Sequence, residues 1–240
     1  MRYFITFAYK GTDYHGSQSQ INGDTVQMTL EQAMMTILRR HVPLTFAGRT
    51  DAGVHAEKMV AHFDFEELPE NFLGRLNNYL PSDIAIRDIR QVSDDAHARF
   101  DAIERTYHYR ITMRKDAFAF NIRTRVAPGL DFEAMNDAAQ LLLGKQDFAS
   151  FCRTHTDVKT TICDVKEARW IIEDDDQAYF VITADRFLRN MVRAVVGTLF
   201  EVGRGKMTKE QFAQVIAAKD RTKAGHSAPA EGLFLVQIKY

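Results

Sequence analysis

The start of the chain carries the pattern that most constrains its fold, two strand-like segments on either side of an amphipathic helix. Residues 3–9 are rich in aromatic and β-branched side chains, and residues 59–65 alternate apolar with polar positions, so both predict half-buried strands. Between them Val26, Leu30 and Ile37 keep helical spacing, and Asp24 followed by Gln27 predicts an N-cap with a capping box. An α+β arrangement follows from this order.

The remaining segments also alternate between strand and helix patterns, to the end of the chain. The first half is completed by a helix over 71–79 and a strand over 83–92. The second half is predicted to contain a strand over 105–113, a helix from Asp131 to Gly144, strands over 164–172 and 179–185, a helix with an apolar stripe from Leu188 to Leu199, a helix starting with the capping pattern Thr208 to Gln211, and a final strand over 233–240. Strands and helices alternate too irregularly for a doubly wound sheet. We therefore predict two α+β halves, residues 1–100 and 101–240, each an antiparallel sheet backed by helices.

Composition excludes several classes of protein. With 240 residues and 45% hydrophobic side chains the chain can bury a substantial core. Its apolar runs are far shorter than the ~18 residues of a membrane span, and the N-terminus lacks the regions of a signal peptide, so a cytoplasmic location is predicted. The two cysteines, Cys152 and Cys163, form neither a disulfide framework nor a zinc ligand set.

The net charge of −1 gives no global signal for nucleic acid, so any RNA site must be a local patch. Solvated faces with acidic neighbours are the alternative interpretation of such patches. The candidate basic clusters are Arg99, Arg105, Arg110, Arg114 and Lys115; Arg123 and Arg125; and Arg186, Arg189 and Arg193.

The segment most suited to chemistry is the polar loop at 47–56. Gly48 and Gly53 allow sharp turns and the close approach of another chain, and Arg49 offers a planar fork for a phosphate or a base. Asp51 can serve as a nucleophile or a base. The alternative is an ordinary turn at Asp51, Ala52 and Gly53, which composition alone favours.

The full spelling of this loop, Gly48-Arg49-Thr50-Asp51-Ala52-Gly53-Val54-His55, closely resembles the signature of the tRNA pseudouridine synthase A (TruA) family. Further matches follow the family's order over nearly the whole length: Tyr14-His15-Gly16 with Gln18 and Gln20, Leu80-Pro81 with Asp83-Ile84-Ala85, His97-Ala98-Arg99-Phe100, Arg105-Thr106-Tyr107, Asp147-Phe148 with Ser150-Phe151, Phe187-Leu188 with Met191-Val192-Arg193, Lys219-Asp220-Arg221 and Glu231-Gly232-Leu233. The departures are Ser17, where the family usually has an aromatic or bulky residue, and Ser19, where a basic residue is common. We expect them to affect only a contact of this loop with RNA.

The resemblance implies an isomerase that converts uridine to pseudouridine at tRNA positions 38–40, on the 3′ side of the anticodon stem-loop. Asp51 would be the catalytic carboxylate, through either a covalent adduct or glycosidic cleavage, and neither a cofactor nor a metal would be required. The resemblance also implies a homodimer with tRNA as its partner. Its fold would be two ferredoxin-like-type halves whose sheets join, with the active cleft between them.

Particular roles are carried over in the same way. Tyr107 would stack on the target uracil and assist its deprotonation, and Arg193 would pair with the catalytic carboxylate and keep it ionised. By pattern alone, Tyr107 and Leu233 are ordinary core residues, whereas Arg193 on an apolar helix needs an anionic partner. The other implied contacts are Arg49 and Arg99 in base extrusion, Leu233 under the uracil, and His97, Phe100, His155 and Lys159 in regions that touch RNA.

Two rival functions remain open. An RNA-binding or chaperone module without catalysis would keep the fold, although the joint presence of Asp51, Tyr107 and Arg193 argues against it. A metal-dependent hydrolase would use His55, His62 and His97. His55 and His62 do not lie on one helical face, which disfavours that site.

Overall fold

The computed structural model describes residues 1–21, 23–153 and 159–240. It divides into two compact units, residues 1–103 together with 234–240, and residues 104–233. Each unit combines a mainly antiparallel sheet with helices, so the predicted α+β class is confirmed.

The elements are numbered here along the chain. The first unit contains strands β1 (Arg2–Tyr9), β2 (Thr45–Phe46), β3 (His55–Asp64) and β4 (Ile84–Val92), with helices α1 (Val26–Leu38) and α2 (Phe72–Tyr79). The second contains strands β5 (Glu104–Thr112), β6 (Thr124–Arg125), β7 (Gly144–Asp147), β8 (Ile162–Ile172) and β9 (Gln177–Ala184), with helices α3 (Phe132–Ala139), α4 (Met191–Gly203) and α5 (Lys209–Ala218). The last strand, β10 (Leu233–Lys239), belongs to the first unit from Phe234 onward.

The sheet of the first unit has the order β4, β1, β3, β10. β1 is antiparallel to both β3 and β4, whereas β10 runs parallel to β3, with Phe234 opposite His55. β2 lies antiparallel to β3, pairing Phe46 with Ala61. The polar loop that sequence analysis singled out therefore connects two hydrogen-bonded strands, which fixes both of its ends.

The predicted start of α1 is wrong by one residue. Thr25, not Asp24, is the N-cap, and its Oγ1 accepts a hydrogen bond from the Met28 amide at 3.3 Å. The side chain of Gln27 instead donates to the Glu31 carboxylate at 2.8 Å and so closes no capping box. Thr25 is fully buried, and a threonine hydroxyl, like an aspartate carboxylate, can accept from a free amide of the first turn.

Two predictions in the second unit also need correction. The helix expected over 131–144 ends at Ala139, and Gly144, with a φ of 87°, begins the short strand β7, which the sequence pattern missed. Leu188 precedes α4 because Asn190, with a left-handed φ of 65°, is its N-cap. The predicted start of α3 at Asp131 agrees with the structure, where Asp131 is the N-cap, and the capping pattern of Thr208 with Gln211 is confirmed.

The sheet of the second unit runs β5, β9, β8, β7 and packs against α4, most of whose residues are buried. Trp170 lies 5.4 Å from Phe180 and 5.8 Å from Phe200, between ring centroids, and forms the aromatic centre of this core. A Cβ on Gly197 would lie 1.7 Å from the carbonyl oxygen of His226, so the 226 segment packs directly on the backbone of α4. Within the described ranges, no helix has the length and apolar character needed to cross a bilayer.

Candidate active site

Asp51 lies in the loop between β2 and β3, where its side chain is half-buried. The amide of Val54 donates to the Asp51 carbonyl at 3.2 Å, and Gly53 has a φ of 77°, a conformation that favours glycine. Asp51, Ala52 and Gly53 thus form a turn, as the simpler interpretation expected. The turn places the Asp51 carboxylate in a loop between two paired strands, β2 and β3. Loops held by a fixed scaffold are common positions for catalytic groups.

The loop is fixed from one side by the segment 16–18. The Ser17 amide donates to the Thr50 carbonyl at 3.2 Å, and the Thr50 amide donates to Ser17 Oγ at 2.8 Å. Gly16 adopts a φ of 97°, and a Cβ there would lie 2.8 Å from the Thr50 carbonyl oxygen. The guanidinium of Arg49 donates to the side chain of Gln18. Residues 16–18 therefore run directly alongside the residues that precede Asp51.

The loop is fixed from the other side by β1 and the turn that follows it. The hydroxyls of Tyr9 and Thr50 share a buried hydrogen bond of 2.8 Å. The Gly11 amide donates to His55 Nδ1 at 2.9 Å, and a Cβ on Gly11 would lie 2.0 Å from the Val54 carbonyl oxygen. Both flanks of Asp51 are therefore held by packed backbone, which leaves the Asp51 backbone little freedom of position.

The three histidines of the hydrolase interpretation have structural roles. His55 accepts from Gly11 through Nδ1 and stacks on Phe234 at 4.5 Å between ring centroids. His62 Nδ1 accepts from the Ala98 amide at 3.1 Å. His97 Nδ1 accepts from the amide of Arg99 at 3.1 Å. Among residues 1–21, 23–153 and 159–240, no three His, Cys, Asp or Glu side chains form a group that could hold a metal ion.

The segment 96–100 presents an aromatic ring and a guanidinium at the surface. Phe100 is 75% exposed, although its ring lies 4.2 Å from that of His97. The guanidinium of the exposed Arg99 lies 5.9 Å from the centre of the Phe100 ring. An exposed aromatic face beside a guanidinium is the combination on which unstacked RNA bases bind.

In the second unit, Tyr107 lies on β5 and is half-buried, with its ring 5.0 Å from that of Phe187 at 84°. Tyr109 points to the same face of the strand but is fully buried, and its hydroxyl contacts Thr124 at 2.7 Å and the Pro229 carbonyl at 2.9 Å. Burial raises the pKa of Tyr109, so this hydroxyl stays protonated. Tyr107 is therefore better placed than Tyr109 to contact a ligand. Phe187 was not singled out as a site residue because nothing local marks an edge-to-face contact.

Arg193 is the third residue of α4 and is half-buried. Its Nε donates to the Ala228 carbonyl at 2.7 Å, and the Ala228 amide donates back to the Arg193 carbonyl at 2.9 Å. At Nε, Arg193 therefore binds a carbonyl oxygen, and its pairing with the catalytic carboxylate stays a prediction. The Nε bond anchors the guanidinium to the segment that contains Ala228, and the backbone bond ties that segment to the first turn of α4.

The remaining predicted residues have varied positions. Leu233 is buried and follows Gly232, where a Cβ would lie 2.8 Å from the Arg110 carbonyl oxygen and 2.9 Å from the Tyr109 ring. Among these predicted site residues, Arg49 and Lys159 are exposed. His155 lies outside the described residues. Ser17 is fully buried, so any effect of this residue on an RNA contact would have to be indirect, and that effect stays a prediction.

His62 gives a stability prediction. Its burial, with the positive charge of Arg2 as a second cause, lowers its pKa from 6.5 to about 4. The unfolded chain therefore takes up more protons than the folded chain as pH falls from 6.5 to 4, and the free energy of unfolding should fall across that window by about 2 kcal/mol.

The matched variant is His62→Asn, whose amide oxygen can still accept from Ala98 but does not titrate. Urea unfolding at pH 7 and pH 4 should show a smaller acid-induced loss of stability in His62→Asn than in the wild type. Equal losses in the two proteins would show that His62 is not the group responsible.

Comparison with known sequences defines the class. A sequence model of the family described as tRNA pseudouridine synthase matches residues 138–240, most of the second unit and the last strand. The tRNA pseudouridine synthase A of Bacteroides thetaiotaomicron is 55% identical over 243 residues, covering 100% of this chain and 90% of the relative. Those of Bacteroides fragilis and Porphyromonas gingivalis are each 52% identical, covering 100% of this chain and 96% and 97% of the relatives. Because the similarity extends over the full length, the chain belongs to the tRNA pseudouridine synthase A family, as its motifs predicted.

Proposed function

We propose that this chain isomerises uridine to pseudouridine in tRNA with the Asp51 carboxylate as its catalytic group. The observation that carries the proposal is the full-length match, at 55% identity, to a protein named tRNA pseudouridine synthase A. The local structure supports it, because Asp51 lies at a turn between Thr50 and His55, both of which are held by buried hydrogen bonds. A fixed carboxylate is suited to a reaction that depends on positioning.

The reaction breaks the bond between C1′ of ribose and N1 of uracil and forms a bond between C1′ and C5. The hydrogen on C5 is lost as a proton, so a base is needed after the new bond forms. Asp51 is proposed to act first, by adding to the nucleotide or by assisting glycosidic cleavage. Tyr107 is proposed to stack on the flipped uracil and assist the later proton removal, and Arg193 to keep the carboxylate ionised and oriented.

The RNA contacts are proposed to be local. Arg49 and Arg99 are proposed to displace the target base, Leu233 to lie under the uracil, and His97, Phe100, His155 and Lys159 to contact the tRNA. The exposure of Arg49, Arg99, Phe100 and Lys159 is compatible with these roles.

The finer features of the proposal rest on the resemblance. They are action at positions 38–40 of the anticodon stem-loop, a homodimer, a cytoplasmic location, and two ferredoxin-like halves that share the catalytic cleft. The strand order β4, β1, β3, β2 in the first unit, with α1 and α2 as the two connecting helices, supports the ferredoxin-like description of that half.

The reaction is tested by incubating the protein with unmodified tRNA that carries tritium at C5 of its uridines. Pseudouridine formation releases that tritium to water, whereas binding alone does not. Release in the presence of a chelator would separate this enzyme from both rivals. Tight binding without release would support the RNA-binding module, and release that depends on an added metal would support metal-dependent chemistry.

RNA binding by local patches predicts a strong dependence of affinity on salt despite the net charge of −1. With about four phosphate contacts, the affinity for tRNA should fall by about 10–100-fold between 50 and 200 mM salt. Lys159→Gln, at a proposed tRNA contact, should reduce the slope of log affinity against log salt by about one. Arg40→Gln, at an arginine paired with Glu66, is the control and should leave the slope unchanged. An affinity independent of salt would contradict the prediction that local basic patches bind the phosphates of tRNA.

A further inference from the structure

We propose that Ser17 is a positioning residue of the active site, whose buried hydroxyl sets the place of the Asp51 carboxylate. The inference rests on the proposed function and concerns a buried residue in the segment that runs alongside the catalytic loop. Ser17 is fully buried and its neighbour across the contact, Thr50, is 9% exposed.

The contact between Ser17 and Thr50 is reciprocal. The Ser17 amide donates to the Thr50 carbonyl, and the Thr50 amide donates to Ser17 Oγ at 2.8 Å. Thr50 immediately precedes Asp51. These two bonds therefore fix the backbone amide and carbonyl of the residue next to the catalytic one. The Thr50 hydroxyl is held independently by Tyr9. Backbone and side chain of this one residue are therefore fixed by different elements.

Ser17 also connects the loop to α1. Its carbonyl accepts from the Gln27 amide at 3.0 Å, and the carbonyl of Gly16 accepts from the Val26 amide at 3.4 Å, both in the first turn of the helix. The first turn of α1 therefore binds residues 16–17, and Ser17 in turn binds Thr50 in the catalytic loop. An aromatic side chain at position 17 would have no oxygen next to its Cβ, so the hydroxyl bond to the Thr50 amide is a feature of serine.

The consequence of losing this oxygen follows from burial. A buried amide without an acceptor is unfavourable, and the loop can recover a partner only by moving. Movement at Thr50 displaces Asp51, and a displacement of about 1 Å at a catalytic group lowers a rate by up to about 100-fold. Of the tRNA contacts proposed above only that of Arg49 adjoins Thr50, so the affinity for tRNA should change little.

The test compares Ser17→Ala with Ser150→Ala. Ser150 is equally buried, and its Oγ likewise accepts from a backbone amide, that of Asp220, at 3.0 Å, while its hydroxyl also donates to the Val215 carbonyl at 2.6 Å. The control therefore removes the same type of bond, and one more, away from the catalytic loop. We expect Ser17→Ala to lower the single-turnover rate on tRNA by about 10–100-fold while the Kd for tRNA stays within about twofold. It should also speed hydrogen exchange in the peptide 48–54 by about 10-fold. Ser150→Ala should lower the melting temperature at least as much as Ser17→Ala does. It should change neither the single-turnover rate nor hydrogen exchange in the peptide 48–54.

Ser17→Cys keeps a weak acceptor at nearly the same place and should give an intermediate rate, which guards against poor folding of the alanine variant. Wild-type exchange and rate in Ser17→Ala, or equal losses of rate in the two alanine variants, would overturn the proposal. If the wild type forms no pseudouridine, the proposed function fails by itself. The exchange measurement then still decides whether Ser17 orders the loop.

Discussion

Replacing Asp51 with asparagine is expected to abolish pseudouridine formation, with a loss of at least about 1000-fold in single-turnover rate. An amide of the same shape neither adds to a ribose carbon nor accepts a proton as a carboxylate does. The backbone bonds that hold the loop, between Val54 and Asp51 and between Ser17 and Thr50, do not involve this carboxylate. The fold and the affinity for tRNA should therefore remain close to the wild type.

The matched control is Asp88→Asn, the same change at an exposed position of β4 in the same unit. It should leave both rate and affinity unchanged. Substantial pseudouridine formation by Asp51→Asn would remove Asp51 from the mechanism, and weak tRNA binding would show that the carboxylate orders the loop as well.

The second large effect is expected for Arg193→Met, which removes the guanidinium while retaining an apolar stem of similar length. Loss of the charge that we propose orients the Asp51 carboxylate should lower the single-turnover rate by about 100-fold, equivalent to about 2.7 kcal/mol. The bond from Nε to the Ala228 carbonyl is lost as well, so a modest fall in melting temperature should accompany it. Arg193→Lys should recover little, since an ammonium does not reproduce the planar fork.

Arg204→Met is the control for this change. Arg204 follows the last turn of the same helix, is solvent-exposed and pairs with Glu201 at 2.9 Å. Rates should be normal in this variant. An Arg193→Met enzyme that folds and turns over normally would show that Arg193 has no part in catalysis.

The sequence predicted those elements whose signals are local. The alternation over 59–65 indicated β3, and the capping pattern at Thr208 indicated the start of α5, since each depends on residues a few positions apart. The loop around Asp51 was found because its glycines and its acid are adjacent in sequence. Short elements such as β7 were missed because four residues carry little periodic signal.

The features that the sequence could not provide depend on contacts between distant residues. The bond between Ser17 and Thr50 joins positions 33 residues apart, and nothing near Ser17 indicates its partner. The pairing of Phe234 with His55 places the final strand in the first unit, although the sequence places it after the second. A strand pattern specifies which face is buried but not which strand becomes its neighbour. The site residues therefore followed from family resemblance rather than from pattern.

The central claim is tested most directly by mapping pseudouridine in a single unmodified tRNA after incubation with the protein, using carbodiimide-blocked reverse transcription. The proposed function predicts new stops at uridines in positions 38–40, present with the wild type and with Asp88→Asn and absent with Asp51→Asn. Stops that persist with Asp51→Asn, or their absence with a folded wild-type protein that binds the tRNA, would contradict it.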